Sequence, residues 1–514
     1  VTGIVYSVTN DNNDPISGGT DVTTVTNGTA ATGAFSQSVT GLSVGTQYSF
    51  KAYATNDNGT SYSYGAATTF TTTKTWAGTT DTDWATAGNW NPSGVPTASD
   101  DVIIPDVANE PVISAAGAVA NNLTIETSSS LTIQSAGSLT VSVDLTVNTA
   151  NSLTIESGGS LIVQNASTGT VTYKRNLATT NWYLISSPVS GETIDDLIAL
   201  NIFAISGSDI GLAPYDNSQA VANDRWSYYQ TGATGIGSVV DGKGYSAKSA
   251  TAGNDVSFSG TLNTSDVSIA LTQGSNNFNL IGNPFTASIN SGSFLTTNTS
   301  ALTSETIWVW NQANGSYDTK ITANGFKLAP AQGFFVEAGS TGNVTFSETT
   351  RSNESTDTFQ RQTTTPEIKI LVADESTIRY AEIYYYENAT TGFDNGYDGK
   401  LFGGVQNDFE IYSHLLSDNQ NKKYQIQSLP DSDLESMVIP MGIKADAGKE
   451  ITFSLETLNL STDLKVFLED KEANIFTRLD EANTNYTVTL SEALDGVGRF
   501  YLHTSASALT VSNP

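Results

Sequence analysis

Between Leu123 and Val163 the apolar residues come in short bursts, Leu-Thr-Ile or Leu-Thr-Val, separated by polar turns rich in Ser, Asn and Gly. The leucines fall at Leu123, Leu131, Leu139, Leu145, Leu153 and Leu161, so that each recurs after 22 residues: 123 to 145, 131 to 153 and 139 to 161. In an extended triplet the first and third side chains share one face and the threonine points the other way. A single coil of three such triplets cannot bury its apolar side, but a stack of coils can. The pattern therefore predicts a short parallel β-helix over 74–173, of roughly two to four coils. Such a stack needs a capped end, and Trp76, Trp84 and Trp90, with Asn89, Asn91 and Pro92 around them, are placed to supply it. The other reading of these three tryptophans is a platform for stacking sugars.

Elsewhere the alternation has the period of half-buried strands. Residues 174–350 contain a degenerate duplication: Trp182-Tyr183-Leu184-Ile185-Ser186-Ser187-Pro188 answers to Phe278-Asn279-Leu280-Ile281-Gly282-Asn283-Pro284 at an offset of 96. Three more matches follow in the same order. Arg225-Trp226-Ser227-Tyr228 answers to Ile307-Trp308-Val309-Trp310, Gly242-Lys243-Gly244-Tyr245 to Ala331-Gln332-Gly333-Phe334, and Val256-Ser257-Phe258 to Val344-Thr345-Phe346. Two related β-sandwich halves are predicted. Residues 351–365 are polar and read as a linker. Strands such as Glu367-Ile368-Lys369-Ile370-Leu371-Val372 then alternate cleanly, and 366–514 is predicted to be a jelly-roll-like sandwich closing on Arg499-Phe500-Tyr501-Leu502-His503.

The first 73 residues resemble a fibronectin type III domain, most clearly in Gly41-Leu42-Ser43-Val44-Gly45-Thr46-Gln47-Tyr48 followed by Ser49-Phe50-Lys51-Ala52-Tyr53-Ala54. The resemblance implies a tyrosine corner, with the Tyr48 hydroxyl bonded back to the chain at a sandwich edge. Gly3-Ile4-Val5-Tyr6-Ser7 sits where a third strand belongs. The expectation is therefore a partial domain, with Val1 a boundary inside a longer polypeptide.

Composition narrows the chemistry. With no cysteine, disulfides, thiolate metal sites and a cysteine nucleophile are excluded together. With His414 and His503 the only histidines, a histidine-rich zinc site is excluded, and a Ser-His-Asp triad would have to use one of them. Only 14% of residues are charged, and Thr, Ser, Gly, Asn, Val and Tyr dominate, which suits strands and tight turns and predicts an all-β chain. The formal net charge of -30 opposes nucleic acid and anionic lipid, and no stretch approaches an apolar membrane span, so neither nucleic-acid binding nor membrane insertion is expected.

Taken in order, the fibronectin-like piece, the Trp-Ala-Gly-Thr to Gly-Asn-Trp-Asn-Pro solenoid, the Ile-Gly-Asn-Pro to Gln-Gly-Phe-Phe-Val unit and Gly392-Phe393-Asp394-Asn395-Gly396-Tyr397-Asp398-Gly399-Lys400 resemble large surface proteins of the Bacteroidota exported by the type IX secretion system. That resemblance covers nearly the whole chain. It implies an extracellular location on the bacterial cell surface, with the secretion machinery and surface-attachment proteins as partners. Members include gliding-motility adhesins, stalks, and secreted hydrolases that carry such modules behind a catalytic domain. In that family a closing strand like Arg499 to His503 stands just before a C-terminal sorting domain.

The cluster Asp394, Asn395 and Asp398, with Asp408 and Glu410 nearby and glycines at Gly396 and Gly399, offers closely spaced oxygen ligands for a hard cation such as calcium. The same residues are favoured in solvated turns for backbone reasons. Asp11, Asn12, Asn13 and Asp14 read as a turn. The two histidines stand on or beside strands with no nucleophile close in sequence, and read as structural. The expectation is thus a non-catalytic adhesive or stalk-like region that contacts glycans or abiotic surfaces. The alternative is an accessory, carbohydrate-contacting region of a secreted hydrolase.

Overall fold

A computed structural model describes residues 1–27, 33–43, 46–55, 62–354 and 365–509. The chain is all-β, with two α-helices of seven residues among the described residues. Of the tyrosine-corner motif, Val44 and Gly45 lie outside these residues, as do 355–364 of the expected linker. The chain divides into two compact units: Val1–Lys174 with Ser259–Thr264, and Arg175–Phe258 with Ser265–Pro514. Among the described residues no helix is long and apolar enough to cross a membrane.

The first unit begins with an antiparallel sheet. Thr2–Val8 lies between Thr23–Asn27 and Gln47–Thr55, and the latter also pairs with Tyr62–Tyr64 and Thr68–Thr71. The Tyr48 hydroxyl accepts the N–H of Ser43 at 2.9 Å, the bond a tyrosine corner requires. On one side of this sheet Ile4, Tyr6, Phe50 and Phe70 face an apolar hollow of about 720 Å³. A second sheet covers that side in a complete sandwich.

The solenoid follows. Its coils pair in parallel on three faces, with Leu123 opposite Leu145, Leu131 opposite Leu153 and Leu139 opposite Leu161. All six leucines are no more than 1% exposed, and Ile125, Ile133, Val141 and Ile155 complete the same column. A polar column runs beside the apolar one. Asn122 donates through Nδ2 to Asp101 at 2.7 Å and accepts the N–H of Asp144 through Oδ1, and Asp144 in turn accepts Asn165 Nδ2. The three tryptophans close the end of the stack: Trp90 meets Trp76 and Trp84 edge to face at 4.9 and 4.7 Å, and all three are at most 3% exposed. Rings so covered cap the coils and present no face to a sugar.

In the second unit the duplication appears as matched pairs of strands. Trp182–Ser186 runs antiparallel to Gly244–Lys248, with Trp182 opposite Lys248, and Phe278–Gly282 runs antiparallel to Gly333–Glu337, with Phe278 opposite Glu337. Each pair also touches the other by an exchanged bridge, Ile185 with Gln332 and Ile281 with Lys243. The bonds match too: Ser186 N donates to Ala331 O at 3.1 Å and Gly282 N to Gly242 O at 2.9 Å. The halves are therefore related by an approximate two-fold axis near Ser186 and Gly282. A side chain at Gly282 would put its Cβ 2.4 Å from that of Ser186, so the close approach requires glycine. Each half carries one helix, Ile194–Leu200 capped by Thr193 and Ser291–Thr297 capped by Asn290, both through a side-chain oxygen that accepts an N–H three residues on.

The expected C-terminal sandwich is one continuous eleven-stranded sheet. Neighbouring strands are antiparallel except Ile378–Tyr386 and Tyr424–Pro430. Alternate residues of its strands, among them Ile368, Ile370, Val372, Ile383, Met441, Phe453, Phe500 and Leu502, share one core. Arg499 clamps the buried carboxylate of Asp470 through Nε at 3.0 Å and Nη2 at 2.8 Å, while Tyr486 donates to the same group.

The leucine column generates a test. Leu145→Ala should cost unit 1 about 2–5 kcal/mol through the cavity it leaves. Leu145→Asp should abolish its folding, since an unpaired charge cannot be held there. Thermal unfolding followed by circular dichroism, with limited proteolysis to assign the unit, reads both.

Candidate functional site: the loop from Gly392 to Glu410

This loop leaves the strand Ile378–Tyr386 and returns to the sheet at Glu410–Ser413. Asp394 and Asp398 are brought together, and each binds backbone. Asp394 accepts the N–H of Thr390 at 2.5 Å and its hydroxyl at 3.0 Å. Asp398, fully buried, accepts the N–H of Asp394 at 2.6 Å and that of Ser428 at 2.7 Å. The side chain of Asn395 turns outward from this pair: its Oδ1 accepts the N–H of Glu305 at 2.8 Å and its Nδ2 donates to the Glu305 carboxylate. Asp408 and Glu410 stand apart from these three. Asp408 is exposed and lies 3.9 Å from Lys444, and Glu410 pairs with Lys423 at 2.8 Å. Among the described residues no group of three or more His, Cys, Asp or Glu is gathered as a metal site.

What the loop visibly does is fasten the C-terminal sheet to the second sandwich half. Gly396 O accepts the N–H of Ala323. Lys400 O accepts the indole N–H of Trp308 at 2.9 Å and the hydroxyl of Thr319, while its ammonium meets Glu337 at 2.9 Å. At Gly399 a Cβ would lie 2.5 Å from the Thr319 side chain, so only glycine lets the loop pass. Phe402 then enters a socket of rings, 4.2 Å from Tyr317, 4.8 Å from Phe335, 4.9 Å from Phe278 and 5.5 Å from Trp308 between centroids. Gly404 O accepts from Tyr215 and from Arg225.

The family model described as Domain of unknown function (DUF8693) matches residues 75–326 and 317–503. The chain belongs to this family. The matched residues begin at the cap of the solenoid and end on the closing strand of the sheet, and the two matches overlap over 317–326, from the strand Ser316–Ile321 onward. No curated protein and no solved structure matches the chain.

In this DUF8693 chain His503 lies in the sheet and His414 directly follows the strand Glu410–Ser413. His503 Nε2 is 2.8 Å from the Glu469 carboxylate on the neighbouring strand, and Phe476 meets its ring edge to face. His414 packs on Tyr412, and burial followed by the charge of Lys423 holds it below the usual imidazole range. Asp11 and Asp14 flank a turn in which Asn12 Oδ1 accepts the N–H of Asp14, and Asp14 pairs with Lys51. The sequence reading passed over Phe402. Its signal was an aromatic residue between Leu401 and two glycines, Gly403 and Gly404.

Two outcomes are expected. Truncating Phe402 to Ala should cost unit 2 about 3–5 kcal/mol and split its calorimetric transition in two. The Asp398 carboxyl is pushed up to about 7 by burial and by the charge of Asp394, against the pull of the two amide bonds. Because its folded pKa is raised, its stabilising contribution is complete below about pH 4 and is lost as pH rises through 7, a change of about 4 kcal/mol. Asp398→Asn cannot ionise, so its melting temperature should fall below the native value mainly at acid pH, with the gap narrowing toward about pH 8. Calcium titration of the same pair tests the cation reading: with both carboxylates bound to backbone, the gap should not depend on calcium, and a rise confined to the native chain would assign the ion to this loop.

Proposed function

We propose that this chain is a non-catalytic region of a secreted bacterial cell-surface protein, acting as an adhesive or stalk-like segment. The observation that carries the reading is the fastening of unit 2. The C-terminal sheet is held to the duplicated sandwich by Phe402 in its ring socket and by the bonds of Asn395, Gly396 and Lys400, with no disulfide. A pull on such a unit meets ladders and buried rings instead of a loose joint. The stacked coils of unit 1 resist in the same manner, through parallel ladders on three faces.

Formal charge supports the same environment. A net charge of -30 repels nucleic acid and anionic lipid. It leaves glycans, abiotic surfaces, and the partners of type IX secretion and surface attachment as fitting contacts. A second reading, an accessory carbohydrate-contacting region of a secreted hydrolase, is favoured by the half-buried aromatic rings around Trp182. The two readings part on whether the same open reading frame encodes a catalytic domain.

Antibodies raised against the purified chain should label intact, unpermeabilised cells of the parent bacterium, and in-frame deletion of the segment should lower attachment under flow by at least about tenfold. Labelling only after permeabilisation, or unchanged attachment, overturns the reading. The purified chain should turn over neither glycosides, esters nor peptides, and hydrolysis lost on replacing His414 or His503 would count against the non-catalytic assignment.

A further inference from the structure

The approximate two-fold axis of unit 2 sets Trp182 in the place of Phe278, while strand register sets Ala213, opposite Ser246, in the place of Trp308, opposite Phe335, so the sequence match of Trp226 to Trp308 and Tyr228 to Trp310 is not kept. The two halves differ in what covers their rings. On the second half Phe402 packs against Phe278 and Trp308, and Trp308 is fully buried. On the first half Trp182, Trp226 and Tyr228 remain half-buried and line two hollows, of about 220 and 380 Å³, that share Trp182 and Tyr228. This aromatic surface adjoins the Phe402 socket, since Trp226, Trp310 and Val405 line the narrower hollow and pack against the same ring cluster.

We propose that this cleft binds a neutral oligosaccharide, one pyranose stacking on Trp182 and Tyr228. The two rings stand 5.6 Å apart at 48° to one another, and both border both hollows. The C–H face of a sugar ring carries slight positive charge and meets the negative face of an aromatic ring favourably. The sugar hydroxyls need donors and acceptors together, and the wider hollow supplies both. Lys248 lies over Trp182 at 5.6 Å, and Asp209 is oriented by Gln230, which donates to it at 2.7 Å. Trp310 lines the narrower hollow as a further ring. An aliphatic or plain aromatic ligand would satisfy the rings but strand Asp209 and Lys248, and a polyanionic glycan would meet the net charge of -30.

The proposal rests on the adhesive, carbohydrate-contacting reading, and its test needs no cells. The purified full chain is titrated calorimetrically with cellohexaose, xylohexaose, laminarihexaose and mannohexaose. At least one should bind, with a change in tryptophan fluorescence. Trp182→Ala and Tyr228→Ala should each weaken binding about tenfold while the circular dichroism spectrum and melting are retained. On the native chain, bound sugar should protect Trp182 from oxidation by N-bromosuccinimide, so the answer does not depend on how the variants fold. Binding of none of the four sugars, equal binding by native chain and Trp182→Ala, or oxidation of Trp182 unaffected by sugar overturns the proposal. A chain that supports attachment on cells but binds none of them loses the cleft and keeps the adhesive reading. Binding that depends on Trp182 in a chain absent from the cell surface does the reverse.

Discussion

Register is the constraint on which both units depend. Without a disulfide to hold the chain, each strand must find its neighbour by the match of its side chains. Repetition makes that match. A spacing of 22 sets leucine opposite leucine in the solenoid, and slipping one coil by a single residue would turn its apolar residues toward solvent. In the duplicated sandwich the repeat acts between two halves, and the exchanged bridges Ile185 with Gln332 and Ile281 with Lys243 are what an approximate symmetry axis imposes.

Symmetry of this kind is useful where it breaks. Trp182 and Phe278 hold matching places, and only Phe278 receives Phe402. That half becomes an interior, with Trp308 fully buried and its N–H satisfied by Lys400 O. The other keeps Trp182 half-buried. A duplicated fold can in this way commit one copy of a position to assembly and leave the other open.

Much of this was legible in the sequence. The solenoid was, because a fixed leucine period maps directly onto parallel register, and the tryptophan cap followed from the need to close a stack. The duplication was in part, because the Trp182 and Phe278 segments and the Gly244 and Gly333 segments repeat in order, whereas the match of Trp226 to Trp308 is not kept by the strand register. The curl of the last eleven strands into one sheet was not, since alternation tells which side of a strand is buried but not which strand lies beside it. The Gly392 to Glu410 loop shows the same boundary at the level of a site. Its Asp, Asn and Gly residues mark a turn whether their oxygens bind a cation or a backbone amide, and the partners that decide, Ser428, Glu305 and Thr390, lie 30 residues ahead, 90 behind and 4 behind in the chain. Lys423 likewise claims Glu410 from 13 residues away. Spacing places side chains that are close in sequence; Phe402 meets Phe278 across more than a hundred residues, and nothing local announces the encounter.

The coils of the solenoid touch only the coils before and after them, so the stack has no preferred number of layers. Deleting or inserting a whole 22-residue segment between Leu123 and Leu161 would again set one apolar triplet opposite another on each of the three faces. Evolution can therefore treat this part of the chain as a ruler with a graduation of one coil, about 4.8 Å, and set the length of the stack by copying a short stretch of gene without redesigning a core.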